Sequence, residues 1–395
     1  MEIILLFIGA MLGVLFSEMY NKVIVKKITQ YKTEKFREMR RAIYSDPEIH
    51  LFIQNYYKER DAYEELFNYE VQNYSGKILF LTSPEWSSLR IDIFRNNNIL
   101  HFVDSEKTNF EIDNRMIEKR KKYGQRIFPA ECLVLSRALE VGCIEVKKCS
   151  FYEKLTLIDR LENETYKAAK CRNKRRLKYR DCIMGNFKSA LCEKNQPVSL
   201  GCHVIFALKL NGKIKIALHE RSQETFTYGG YWASIPVFGI VPIPLQQNRN
   251  DNILLYNILK EYSEELFDRT VLAKEERHVS PFWFYSKFPE TIDILKSLEK
   301  RESECLMLGY GFDAINGLSI IASLLYVSDE VLAEKILNTC RVNWEVKSQV
   351  IFYDLDAPEI MTYFKEKRYQ TGTAYALSLA IKYLEEKMQE NGHGV

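Results

Sequence analysis

Three glutamates stand close together in the segment NILKEYSEELFD, residues 257–268. Glu261, Glu264 and Glu265 are spaced i, i+3 and i+4, so on a helix they share one face. Like charges at this spacing repel one another by about a few tenths of a kcal/mol per pair. A divalent cation such as Mg²⁺ or Mn²⁺ prefers carboxylate oxygens and would remove that repulsion. The spacing therefore predicts a metal site on a helix, with a solvated helix face as the alternative.

Aromatic and basic residues elsewhere could bind other parts of a phosphorylated ligand. The segment TYGGYWAS places Tyr228 and Trp232 beside two glycines, and either ring could stack on a base. The alternative for both rings is a place in the hydrophobic core. The run KCRNKRRLKYRD contains Lys174, Arg175 and Arg176. These three could contact phosphates or could lie on a solvated helix face.

The composition limits the possible functions. A chain of 395 residues can hold two or three domains. Its formal net charge of +3 is too near neutral to favour wholesale nucleic-acid binding, so no double-stranded DNA partner is expected. The nine cysteines include no CxxC pair, which indicates free thiols in a reducing compartment.

The first residues predict a membrane anchor. Residues 3–17 carry no charge, whereas Lys22, Lys26 and Lys27 follow them. The uncharged run is a little shorter than the ~20 residues that cross a bilayer, but a helix that continues to Val25 would be long enough. We expect a transmembrane helix over residues 1–27, with a cytoplasmic body because basic residues stay inside. The alternative is a buried core helix.

Three residues of this N-terminal segment could serve a membrane pore. Gly9 and Gly13 have the GxxxG spacing that lets helices approach closely in a homo-oligomer. Glu18 at membrane depth would be costly unless it lined a shared watery lumen. Its alternative is an ion pair with Lys22 at the level of the lipid headgroups.

The two regions that follow the predicted membrane helix differ in composition and in predicted secondary structure. Residues 28–75 are charged, aromatic and helix-compatible, and the SDP motif at residues 45–47 predicts a helix stop followed by a new helix start. Residues 76–196 combine strand-like runs with basic segments and predict a middle α+β region. Within it, the turn between residues 89–94 and 99–103 is typical of a hairpin.

Residues 197–395 form the third region. Alternating runs at 203–210 and 213–222 flank Asn211-Gly212, which predicts a hairpin with a type I′ turn. A strand at 318–327 and a helix at 372–390 are expected to complete this region.

The order of hairpin, loop with tryptophan, proline and glycine, and glutamate-bearing helix resembles the Nudix hydrolase fold. KEYSEELFD supplies Lys260 for the arginine of the Nudix box, then Glu261 and the pair Glu264 and Glu265. The resemblance implies an α+β protein whose C-terminal domain is an α/β/α sandwich with a mixed sheet. It also implies Mg²⁺ or Mn²⁺ on these glutamates, one of which could act as general base while water attacks phosphorus.

The chain departs from the Nudix box at several positions. Asn252 stands where the upstream glutamate belongs, Gln246 where the first glycine belongs, and Phe267 where the closing glycine belongs. These departures disfavour efficient hydrolysis. Arg221 is similar to an arginine that often ends this strand in the family and could meet a phosphate, with a surface ion pair as its alternative.

A membrane helix, a middle region and a degenerate Nudix domain together resemble the SMODS-associated Nudix membrane proteins of bacterial anti-phage, CBASS-like systems. The resemblance implies a homo-oligomeric effector of the bacterial inner membrane, in single-pass topology with the N-terminus outside. Its Nudix-like domain would sense a nucleotide or oligonucleotide messenger, made by a partner nucleotidyltransferase, and would control a pore or membrane disruption in abortive infection. The alternatives are a membrane-tethered Nudix hydrolase that cleaves nucleoside diphosphate derivatives with Mg²⁺, and a membrane scaffold with a ligand-free Nudix fold.

Overall fold

The computed structural model describes residues 11–14, 17–18, 20–103, 110–171, 177–243, 252–269 and 281–392. The chain is an α+β protein. Its described helices are α1 (Lys26–Ser45), α2 (Pro47–Lys58), α3 (Asn114–Lys122), α4 (Phe151–Cys171), α5 (Lys178–Met184), α6 (Phe187–Leu191), α7 (Ile253–Phe267), α8 (Pro281–Lys287), α9 (Pro289–Glu299), α10 (Glu330–Thr339), α11 (Pro358–Lys365) and α12 (Thr371–Gly392). A π-helical segment, Tyr20–Val25, precedes α1.

The strands form one large mixed sheet and one small sheet. They are β1 (Leu66–Val71), β2 (Tyr74–Leu81), β3 (Ile91–Asp92), β4 (Leu100–Phe102), β5 (Glu131–Glu140), β6 (Cys143–Ser150), β7 (Leu200–Leu210), β8 (Lys213–Arg221), β9 (Trp232–Ser234), β10 (Val237–Gly239), β11 (Ser303–Asp313), β12 (Ser319–Val327) and β13 (Val346–Asp354). The large sheet has the order β1-β2-β11-β12-β7-β8-β13, with β3, β9 and β10 paired at its sides, and the small sheet has the order β4-β6-β5. In the large sheet β12 and β7 run parallel, whereas its other pairs are antiparallel.

Both faces of the large sheet are covered by hydrophobic cores. Successive side chains of a strand point to opposite faces. On β7, Val204 and Phe206 belong to one core, while Ile205 and Ala207 belong to the other. The first core also contains residues of α1, α2, α7 and α9, and the second contains residues of α11 and α12. Because both faces are buried, β12 is an unbroken run of buried residues rather than an alternating one.

Local sequence signals explain several boundaries. Asp46 caps α2 by accepting a hydrogen bond from the Glu48 N–H, and Pro47 takes the first helical position. Asn211 and Gly212 both have positive φ, 50° and 73°, in the turn between β7 and β8. These angles are those that a type I′ turn requires. The predicted helix stop and hairpin are confirmed.

The hairpin expected between residues 89–94 and 99–103 is wrong. The strand β3 pairs with β11 of the large sheet, whereas β4 pairs in parallel with β6 of the small sheet. The asparagine-rich turn between them closes on itself instead, since the Asn98 N–H donates to the Asn96 side chain. Long-range pairing therefore overrides the local hairpin signal at this point.

The N-terminal hairpin extends the sheet of the C-terminal region. Phe80 and Leu81 at the end of β2 pair with Asp313 and Phe312 at the end of β11. The large sheet is thus built from both ends of the chain. The expected region boundaries near residues 75 and 196 stay predictions.

The predicted transmembrane helix and the single-pass inner-membrane localisation are wrong. In the described ranges, no helix has both the length and the apolar character that crossing a membrane requires. The helix α1 cannot extend an apolar run, because Lys26, Lys27 and Lys32 place charges on its first turns. Gly13 and Glu18 are exposed, and Gly9 lies outside the described residues. The pore roles of these three residues stay predictions.

A buried ion network joins α1, α3 and α4 beside the sheet. Arg120 is 1% exposed and donates to Asp159, with Nη2 2.7 Å from Oδ1, and it also contacts Glu162. Arg40 pairs with the same two carboxylates, and the Tyr44 hydroxyl donates to Glu162. Because the partners come from different helices, this network fixes the N-terminal helices relative to one another.

Candidate functional site

The glutamate helix α7 begins and ends on polar residues that replace the Nudix pattern. The Asn252 side chain accepts from the Leu255 N–H at 3.0 Å, which caps the helix, and it also donates to the Ile93 carbonyl. Asp268 takes the left-handed conformation, with φ 51°, that a glycine usually supplies after a helix. Asn252 therefore has a structural role where a metal-binding glutamate was expected.

The three glutamates of α7 have different partners and do not converge on one point. Lys260 lies between Glu261 and Glu264, with Nζ 3.1 Å from Glu261 Oε1 and 3.3 Å from Glu264 Oε2. Glu265 is buried and accepts a hydrogen bond from the Val237 N–H at 3.1 Å. Burial raises the pKa of Glu265 well above its usual value, and the nearby charges of Glu345 and Glu261 raise it further.

Glu345 is a fourth acidic residue of this site, and no sequence pattern singled it out. It lies before β13, where its carbonyl accepts from the Ser222 N–H at 2.7 Å. Burial raises the pKa of Glu345 to about 7, and the charge of Arg221 opposes that rise. Arg221 itself is buried, and its Nε has no hydrogen-bond partner among the described residues. We call these residues the carboxylate cluster: Arg221, Lys260, Glu261, Glu264, Glu265 and Glu345.

The carboxylate cluster does not fit a divalent cation as it is arranged. Glu261 and Glu264 already bind the Lys260 ammonium, and Glu265 is turned toward a backbone N–H. Within the described ranges, no group of three or more histidine, cysteine, aspartate or glutamate side chains could hold a metal ion. The Lys260 ammonium group therefore lies between the carboxylates to which the Nudix resemblance assigns Mg²⁺ or Mn²⁺.

A cavity of about 460 Å³ lies elsewhere, between the N-terminal helices and the C-terminal region. This volume is within the roughly 300–1,000 Å³ of small-molecule sites. The lining is rich in tyrosines and cations, and it includes Tyr44, Tyr63, Tyr69, Tyr228, Tyr363, Tyr369, His50, Lys77, Lys365 and Lys367. No carboxylate belongs to the described lining. We call it the tyrosine–lysine cavity.

The cations of this cavity differ in how they are engaged. Lys77 donates to Glu64 and to two backbone carbonyls. Lys365 and Lys367 are exposed at the rim, and no salt bridge within the described ranges reaches either of them. Lys365 Nζ lies 3.7 Å from the centre of the Tyr74 ring. Burial lowers the pKa of His50, and its Nε2 donates to the Tyr44 carbonyl at 2.7 Å. The rim therefore offers two ammonium groups to an anion.

The aromatic wall contains polar atoms that could recognise a ligand. Tyr369 is 5% exposed, and its hydroxyl has no hydrogen-bond partner among the described residues. Buried polar atoms are paired as a rule. Because Tyr369 lines the cavity, its unpaired hydroxyl is a candidate ligand contact.

Tyr228 belongs to the lining of the tyrosine–lysine cavity, whereas Trp232 does not. Tyr228 stacks on Tyr44 with ring centres 3.8 Å apart, and its hydroxyl donates to Asp313. Its φ of 52° is an outlier for a bulky residue. Trp232 is buried one layer behind the wall and stacks on Tyr363 with ring centres 4.5 Å apart. The core role, which was the alternative for Trp232, describes its position.

The remaining residues that were predicted to bind a ligand do not line the tyrosine–lysine cavity as described. Arg221 belongs to the carboxylate cluster rather than to the cavity or the surface. Lys174, Arg175 and Arg176 lie outside the described residues. The signal that sequence reasoning missed is YFKEKRYQT, in which residues 363, 365, 367, 369 and 371 alternate and all line the cavity.

Comparisons with known proteins name no family. A scan against protein-family models gave no match, and a search of curated proteins gave none. The Nudix resemblance therefore rests on the residues of α7 and on the order of the elements around it.

Proposed function

We propose that the protein binds a nucleotide or oligonucleotide messenger in the tyrosine–lysine cavity and acts as a sensor. The observation that carries the proposal is the lining of the cavity, which combines tyrosine rings with lysines and contains no described carboxylate. Stacking of a base on an aromatic side chain contributes about 1–3 kcal/mol. Lysine ammonium groups bind phosphate oxygens as point charges. A nucleotide offers both partners in one molecule.

The position of the cavity supports a sensing role. Tyr44 and His50 come from the N-terminal helices α1 and α2, while Tyr363 lies on α11 and Lys367 in the turn that follows it. A ligand that contacts both sides favours the arrangement in which the two sides are correctly placed. Such a ligand shifts a conformational equilibrium by its unequal affinity for the two states.

The resemblance to nucleotide-signalling systems supplies the rest of the proposal. A partner nucleotidyltransferase would make the messenger, and the sensor would act as a homo-oligomer in anti-phage abortive infection. The exposed apolar residues before and within α1, including Tyr20, Ile24, Ile28 and Tyr31, are compatible with self-association.

Mass spectrometry tests the sensing role directly. The purified full-length chain is mixed with a bacterial nucleotide pool and Mg²⁺, and both the retained fraction and the solution are analysed. We expect one intact nucleotide species to be retained stoichiometrically without product in solution. The double variant Lys365→Glu/Lys367→Glu should lose this retention, whereas Lys382→Glu, an exposed lysine of α12, should keep it. Equal retention by all three proteins would refute the cavity as the site.

A hydrolase is the second candidate, and one observation favours it. Burial raises the pKa of Glu345 to about 7, which suits a general base at neutral pH. Depletion of a nucleoside diphosphate derivative in the same experiment, lost in Glu345→Gln, would establish this candidate in place of the sensor.

A further inference from the structure

The side chain of Lys260 is in an unusual position for a lysine. It is 7% exposed, and its Nζ lies 3.1 Å from Glu261 Oε1 and 3.3 Å from Glu264 Oε2. The two carboxylates are themselves only 13% and 15% exposed. A lysine is almost never buried unless it is paired. The contacts are therefore those of a structural ion triad and not of a mobile surface lysine.

An ammonium group and a divalent cation compete for the same space between two carboxylates. Mg²⁺ lies at about 2.0–2.1 Å from its oxygen ligands, whereas Nζ is 3.1 and 3.3 Å from the two oxygens, so a metal ion would need the carboxylates to move closer together and Nζ to leave. Either cation balances the charge of the oxygens. With Lys260 in place, the two carboxylates already have a counter-charge that is covalently part of the chain.

We propose that Lys260 is a built-in cation, which occupies the place that a divalent metal would take between Glu261 and Glu264. Two consequences follow. Ligand binding by this chain does not require Mg²⁺ or Mn²⁺, and removal of the ammonium group turns the carboxylate cluster into a divalent-cation site. The proposal is independent of which nucleotide the tyrosine–lysine cavity binds.

Mn²⁺ titration followed by electron paramagnetic resonance tests the proposal, because Mn²⁺ loses its sharp signal when a protein binds it. The wild-type chain is expected to leave the free Mn²⁺ signal unchanged at equimolar concentration. Lys260→Met keeps most of the apolar stem and removes the ammonium group. This variant is expected to bind one Mn²⁺ at least 10-fold more tightly than the wild type. Adding Glu264→Gln to Lys260→Met should abolish the gain, and Lys260→Arg should not bind.

Two results would overturn the proposal. One is stoichiometric Mn²⁺ binding by the wild type that disappears in Glu264→Gln, since the site would then accept a metal beside the lysine. The other is a folded Lys260→Met variant that binds no Mn²⁺. Because removal of a buried counter-charge could prevent folding, the variant is also refolded from urea with and without Mn²⁺. Refolding that depends on Mn²⁺ supports the proposal, whereas failure under both conditions counts against it.

Discussion

Tyr369 is the residue at which folding and ligand binding are easiest to separate. Its buried hydroxyl lacks a partner among the described residues, so Tyr369→Phe removes no hydrogen bond of the free protein. We expect the free energy of unfolding to stay within about 0.5 kcal/mol of the wild type or to rise. A nucleotide that bonds to the hydroxyl should bind about 3- to 10-fold more weakly, as loss of about 1 kcal/mol implies.

The matched control for Tyr369 is Tyr262 on α7. Its hydroxyl is also buried without a described partner, but it packs against Phe206 and Phe267, away from the cavity lining. Tyr262→Phe should leave nucleotide affinity unchanged. Urea unfolding and isothermal titration calorimetry on both variants check the prediction. Equal affinity of Tyr369→Phe and the wild type would mean that the hydroxyl does not touch the ligand.

The raised pKa of Glu345 predicts that the free energy of unfolding falls as the pH rises, which is the opposite of the usual effect of a carboxyl group. Its folded pKa of about 7 lies above the model-peptide value of 4.5, so between these values the folded chain holds a proton that the unfolded chain has lost. The free energy of unfolding contributed by this group is therefore fully present below pH 4.5 and is lost as the pH rises toward 7. The slope is at most about 1.4 kcal/mol per pH unit for one proton.

Urea unfolding of the wild type and Glu345→Gln at pH values from 4.5 to 8 checks this sign. Glutamine cannot ionise, so the difference in unfolding free energy should move in favour of the variant as the pH rises. Glu140→Gln, which replaces an exposed glutamate of β5, should run parallel to the wild type. If the difference in unfolding free energy between the two proteins does not change with pH, Glu345 has the same pKa in the folded and unfolded states.

Some individual residues of the candidate site could be predicted from the sequence. The glutamate spacing located α7, and Tyr228 was singled out from its glycine-rich loop. Glu345 and His50 carried no local signal, because their importance comes from neighbours that are distant in the chain. The alternation of tyrosine and lysine around Lys365 was visible, but only the cavity shows which side of that segment matters.

At the scale of elements, the ion network of Arg120 predicts how firmly α1, α3 and α4 are joined. Arg120 faces Asp159 and Glu162 from a nearly fully buried position. Arg120→Met should destabilise the chain by about 3 kcal/mol, because removal of one partner leaves buried charge uncompensated. Arg137→Met, which breaks an exposed pair with Glu145, should cost less than about 1 kcal/mol. Urea unfolding measures both, and similar losses would mean that the network is as well solvated as the surface pair.

Elements with strong local signals were predictable, and elements defined by distant partners were not. The hairpin of β7 and β8, the strand β12 and the helix α12 follow from alternation, turn residues and apolar runs. The split of β3 and β4 between two sheets did not follow. Short strands of two or three residues carry too little pattern to indicate which distant edge they join.

At the scale of the whole molecule, the large sheet predicts that the C-terminal region does not fold alone. A fragment of residues 197–395 lacks β1, β2 and β3, so the outer edge of β11 loses its partners. It also lacks the N-terminal helices that cover one core. We expect the fragment to aggregate or to unfold without a cooperative transition. Near-ultraviolet circular dichroism and urea titration check this expectation, and a soluble monomer with a cooperative transition would contradict it.

The residues that line the tyrosine–lysine cavity are far apart in the chain, so the cavity can form only late in translation. Tyr44 and Ala374 face the same space from nearly opposite ends of the chain. A ribosome adds about 5–20 residues per second, so their syntheses are separated by tens of seconds. No nascent chain can offer the complete site before α12 has left the ribosome. Under the proposed sensing function, a nucleotide messenger would therefore bind only to fully synthesised copies of the chain.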